Sequence, residues 1–132
     1  MARKVPSRNK GSLATSLYAI VAIGLVIILY AFIFPATEWP GYVVWLIAWS
    51  AATFALYGLD KGLATIQSLR VPEIVLHVAA LVGGFAGGWL GMLVWRHKIK
   101  DQIFYVVLLI ATLVHGGIIY YTYFYSGSNP FL

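Results

Sequence analysis

The chain has 132 residues, of which 61% are hydrophobic, 16% aromatic and only 10% charged, with a formal net charge of +5 and a mean hydropathy of +0.86. A soluble domain carries about 25% charged and about 45–50% apolar residues, so a soluble globular domain and a disordered chain are both excluded. The length holds one domain, and the absence of cysteine removes thiolate metal sites, disulfides and cysteine nucleophiles.

Residues 1–12 form a basic N-terminal segment containing Arg3, Lys4, Arg8 and Lys10. Residues 13–132 read as a single transmembrane domain. Its first run, 13–34, is 22 residues without a charge, enough at about 1.5 Å each to cover a hydrocarbon core of about 30 Å. The apolar region of a signal peptide runs only about 7–15 residues, and no small-x-small site follows, so an uncleaved first helix is expected.

Pro35, Pro40 and Gly41 bracket a short turn, with Trp39 suited to the headgroup boundary. The second run, 41–59, carries Trp45 and Trp49 on one face. The segment 60–73 holds Asp60, Lys61, Gln67, Arg70 and Glu73 and is too polar for lipid.

The third run, 74–95, has five glycines in nine residues, Gly83, Gly84, Gly87, Gly88 and Gly91. Each weakens a continuous helix by about 1 kcal/mol relative to alanine. Two readings follow. In one, two half-helices of about ten residues each are joined by a tight turn, which membrane depth tolerates only where the turn is buried in protein or lines a water cavity. In the other, a continuous helix presents Gly83, Gly87 and Gly91, spaced by four, as a close-packing face. The fourth run, 103–125, is 23 residues without a charge and ends in a Tyr- and Phe-rich belt.

Counting Lys and Arg alone separates the two readings. The N-terminal segment has four, the 60–73 segment two (Lys61, Arg70) and the 96–101 segment three (Arg96, Lys98, Lys100). Four crossings would leave six on one side and three on the other. A third run that dips in and returns collects all nine on the cytoplasmic side. The expected fold is therefore all-α: a polytopic membrane protein with three spanning helices and a Gly-rich re-entrant helical hairpin, N-terminus cytoplasmic. Four spanning helices are the alternative.

No Asp, Glu, Lys or Arg lies inside an apolar run, which counts against an ion-coupled transporter. His115 lies about 18 Å along the last run from Ile103, whereas His77 lies one turn into the third. Their depths differ, and no His-x-x-x-His or Glu-x-x-His spacing occurs, so neither a metal site nor a cofactor is expected. Hydrogen bonding to a neighbouring helix is the expected role of His115. Polar groups gather instead at one edge: Tyr57, Asp60 and Lys61 end the second run, Arg70, Glu73 and His77 open the third, and Arg96, His97, Lys98 and Lys100 close it. Such a cluster can pin the ends of a hairpin or bind phosphate groups of anionic lipid. No catalytic residue is assigned, and an enzyme is not the expectation.

The same residues carry a resemblance. Tyr57-x-x-Asp60-Lys61-x-x-Ala64, Arg70-x-Pro72-Glu73-x-x-Leu76-His77, Leu81-x-Gly83-Gly84-x-x-Gly87, and Arg96-His97-Lys98 with Phe104 resemble a bacterial family of small membrane proteins, domain-of-unknown-function family 1294. Ile99 and Asp101 stand where the family pattern carries Thr and Lys. Some members bear an N-terminal cold-shock domain; none is found in residues 1–12, and nucleic-acid binding is not carried over. The resemblance implies the bacterial inner membrane and no established activity. The expected function is a lipid- or protein-binding module or accessory subunit organised by the polar edge, with membrane lipids, a second copy or a larger complex as partners. A small channel or transporter gated by the Gly-rich run is the alternative, and a membrane enzyme acting on a lipid headgroup the third reading.

Overall fold

The computed structural model describes residues 8–63, 71–96 and 100–125. Among these the chain is all helical: α1 (Arg8–Ala36), α2 (Gly41–Leu63), α3 (Glu73–Ala79), α4 (Phe85–Trp95) and α5 (Gln102–Ile119). A π-helical stretch, Ala80–Gly84, joins α3 to α4, and a second, Tyr120–Tyr125, extends α5. Four segments are long and apolar enough to cross a membrane: Leu13–Ala36, Gly41–Leu63, Glu73–Trp95 and Gln102–Tyr125.

Each boundary has a local cause. Pro35 sits in the last turn of α1, where it removes the hydrogen bond its N–H would have made to the preceding turn, and the helix ends one residue later. The Thr37 hydroxyl donates to the Ile33 carbonyl at 2.9 Å, satisfying an end group of that turn. The Pro40 carbonyl accepts from Val44 N at 3.1 Å and opens α2. Pro72 stands just outside α3, and its carbonyl accepts from Val75 N at 3.1 Å. Asp101 caps α5, its side chain accepting from Ile103 N at 3.0 Å.

One helix boundary differs from the apolar run, and the glycines divide between two roles. The second run does not stop at Leu59 but stays helical through Leu63. That extra turn keeps Asp60 in the helix, on the same face as Thr53 and Leu56 by the i, i+3, i+7 spacing, and fully buried. The glycine run is also not used uniformly. The helix breaks only at its start, where Gly83 takes φ 156°, ψ −4°, a backbone conformation that side chains strain. Gly87, Gly88 and Gly91 lie within regular α4. The two half-helices are accordingly unequal, 7 and 11 residues.

The core is a seam along α2. Ala48, Trp49, Ala52, Leu56 and Tyr57 face Val75, Leu76 and Ala79 of α3, Met92 of α4, Phe104 and Leu108 of α5, and Ala22 and Val26 of α1. α4 follows α2 in the same direction: Gly83 meets Trp45 and Leu46, Gly87 meets Ser50, Gly91 meets Tyr57, and Trp95 covers Gly58. α5 runs the opposite way, with Phe104 against Tyr57 and His115 against Tyr42. The outward faces remain apolar, Phe32 at 74% and Leu93 at 70% exposure. Contiguous exposed apolar surface of that extent is what a lipid-facing wall looks like.

Candidate functional site

Two places concentrate polar chemistry. The first is the end of α2. Tyr57 and Asp60 are fully buried there, and Phe104 packs edge-on against Tyr57 with ring centroids 5.9 Å apart. His77, from α3, lies 4.4 Å from the Phe104 ring. A carboxyl group buried as fully as that of Asp60 requires hydrogen-bonding or charged company. Next to it, the Lys61 ammonium donates to the carbonyl of Trp95, the last residue of α4. Trp95 in turn donates through Nε1 to the Phe54 carbonyl at 3.2 Å and lies against the Phe54 ring at 5.3 Å. Arg96 ends α4 in the left-handed conformation (φ 48°, ψ 44°), a position usually filled by glycine, and is exposed.

Of the expected edge residues, Tyr57 and His77 therefore meet on Phe104, Asp60 is buried one turn beyond Tyr57, and Lys61 and Arg96 gather around the end of α4. Glu73 is exposed in the first turn of α3, and Lys100 is exposed beside the α5 cap. Arg70, His97 and Lys98 lie outside the described residues.

The second place is the break itself, and three successive carbonyls define it. Leu81 O accepts from His115 Nε2 at 2.8 Å, Val82 O from Trp45 Nε1 at 3.0 Å, and Gly83 O from the Ser50 hydroxyl at 3.4 Å. Irregular backbone at membrane depth must find partners inside the protein, and here α2 and α5 supply them. The chemistry of these partners fixes the histidine tautomer. A carbonyl only accepts, so Nε2 carries the proton and Nδ1 of the neutral ring accepts from the Tyr42 hydroxyl at 2.6 Å. Phe85 stacks on the same ring, with centroids 5.4 Å apart and planes 11° off parallel. A second tie joins α4 to α5: Trp89 Nε1 donates to Thr112 Oγ1 at 2.8 Å, and Thr112 donates to the Leu108 carbonyl at 2.7 Å.

The glycines set the closeness. A Cβ on Gly84 would strike Thr53 Oγ1, one on Gly87 the Ser50 carbonyl, and one on Gly88 the Leu108 side chain. Two buried polar atoms, Trp49 Nε1 and Thr53 Oγ1, have no hydrogen-bond partner among the described residues. His77 and His115 stand at opposite ends of α5, and no group of three potential metal ligands occurs among the described residues. Sequence reasoning did not find Trp45 and Ser50 as caps of the break, Tyr42 as the partner of His115, or Asp101 as a helix cap. Asp101 two residues before an apolar run was a readable signal; the others depend on helix register.

Fold and site together define a small all-helical protein with four helices that could span a bilayer, one of them broken at a capped glycine. A family model described as "Protein of unknown function (DUF1294)" matches residues 50–104. The uncharacterized protein YsdA of Bacillus subtilis (strain 168) is 37% identical over 60 residues, covering 46% of this chain and 67% of that relative. The chain belongs to this family of unknown function. No solved structure matches it. The matched stretch contains Ser50, Asp60, the break and Phe104, whereas Tyr42, Trp45 and His115 lie outside it.

Proposed function

We propose that this is an integral protein of the bacterial cytoplasmic membrane whose third apolar run enters from the cytoplasmic edge and returns to it, and whose cationic edge binds the headgroups of anionic phospholipids. One observation carries the return: the order of contacts along the run. His77 lies at the level of Phe104, Leu81 at the level of His115 farther along α5, and Gly91 again beside Tyr57, which itself packs on Phe104. Depth thus rises to Leu81 and falls again to Trp95, which Lys61 caps. A returning run also keeps all nine Lys and Arg on one side, as the positive-inside rule favours.

Lipid binding follows from what that edge exposes. Lys61, Arg96 and Lys100 are solvent-facing, and cations at this depth attract anionic headgroups by about 1 kcal/mol each. A channel would need a hydrated path past Gly83–Gly91, and that face is filled by Thr53, Ser50, Tyr57 and Leu108. The test is purification from membranes of mixed composition followed by lipid analysis. Enrichment of phosphatidylglycerol over phosphatidylcholine that falls in Arg96→Gln/Lys100→Gln supports the reading; equal retention of the two lipids by the unaltered protein refutes it.

A further inference from the structure

We propose that the groove between α2 and α4 seats one acyl chain of the phospholipid whose phosphate is held by Lys61 and Arg96; this rests on the headgroup reading above and adds the place of the tail. The groove is open and has a volume of about 570 Å³. Ser50 and Ala51 on α2 and Ala86 on α4 sink its floor, while Leu46, Phe54 and Leu90 rise as walls. Its one hydroxyl, that of Ser50, is engaged with the Gly83 carbonyl, so the lining offers hydrocarbon. From Val43 to Phe54 the groove follows α2 for about 16 Å.

Its inner end fixes the occupant. Phe54 closes the trough, Trp95 covers Phe54, Lys61 binds the Trp95 carbonyl, and exposed Arg96 follows. An apolar trough ending on two cations complements one chain and one phosphate. A partner helix fits less well, since a cylinder about 10 Å wide and about 16 Å long occupies about 1,300 Å³, more than the groove holds, and would rest on it without entering.

The test uses full-length protein in phosphatidylcholine nanodiscs doped with phosphatidylglycerol carrying a photoactivatable diazirine on one acyl chain. Cross-links are expected to concentrate in residues 43–54 and 85–90, at least fivefold above the exposed face of α1. Ala86→Phe and, from the other wall, Ala51→Phe each fill the groove from an exposed position and should lower that labelling at least fivefold with an unchanged melting midpoint. Labelling spread evenly over α1 and α5, or unaltered by both substitutions, overturns the tail site. If labelling is even while Lys61→Gln/Arg96→Gln still abolishes the preference for phosphatidylglycerol, the headgroup reading stands and the groove assignment falls. A dimer captured by an added bifunctional amine cross-linker and lost in both Phe variants, with no lipid adduct in the groove, assigns the face to a second copy and also overturns the proposal.

Discussion

His115 Nε2 lies 2.8 Å from the carbonyl oxygen of Leu81, joining the last long helix to the third run two residues before the backbone breaks at Gly83. The bond fixes the imidazole as the Nε2–H tautomer and makes the Tyr42 hydroxyl a donor to Nδ1. One side chain thereby ties α2, α5 and the break together. His115→Ala should lower stability by about 1–3 kcal/mol, because it removes the partner of both the Leu81 carbonyl and the Tyr42 hydroxyl. Tyr42→Phe should cost about 1 kcal/mol, and the double variant less than the sum of the two. Reversible unfolding of the four proteins in mixed micelles measures the coupling; additive losses would mean that the two side chains act independently.

Glycines of the third run and of α5 should respond oppositely to alanine. At Gly87 a methyl group collides with the backbone of Ser50, so Gly87→Ala should cost about 1–3 kcal/mol. At Gly116 nothing lies within 4 Å, and alanine there should be neutral or stabilise by up to about 1 kcal/mol. Melting midpoints of the two variants in one detergent suffice for the comparison.

Thr53 is fully buried and its hydroxyl has no partner among the described residues. Thr53→Val keeps the shape and removes the unsatisfied group, so it should leave stability unchanged or raise it by about 1 kcal/mol. A loss above about 1 kcal/mol in the same unfolding assay would reveal a bond to that hydroxyl.

Asp101 opens α5 through its bond to Ile103 N. Asp101→Ala should therefore cost about 0.5–2 kcal/mol, and Asp101→Asn or Asp101→Ser only a fraction of that. Amide hydrogen exchange in the first turn of α5 should quicken in the alanine variant alone.

Much of this architecture is written in local pattern. Uncharged runs mark the four long apolar segments, and the Gly83–Gly84 pair marks the break. The departures have physical causes. The charge of Asp60 marks the start of a polar segment, but its spacing from Thr53 and Leu56 places it on the inner face of α2. Of the five glycines, Gly83 takes the positive φ at the break, whereas Gly87, Gly88 and Gly91 lie close against Ser50, Leu108 and Tyr57 and set helix separation. The caps on the break were not legible, since Trp45 and Val82 are 37 residues apart and Tyr42 and His115 are 73 apart. Such meetings are fixed by helix register, which a pattern of hydrophobicity does not encode. The polar edge was legible as a set of residues, but its division into buried Tyr57 and Asp60 and the exposed pair Lys61 and Arg96 depends on the extra turn of α2.

On the proposed topology the third run returns to the side from which it enters. The chain has no cysteine, so single cysteines at Ser68, Ile99 and Ser126, probed with a membrane-impermeant maleimide in intact cells and in inside-out vesicles, report it without background. Ser68 and Ile99 should react only in inside-out vesicles and Ser126 only in intact cells. Reaction of Ser68 and Ile99 from opposite sides of the membrane would contradict it.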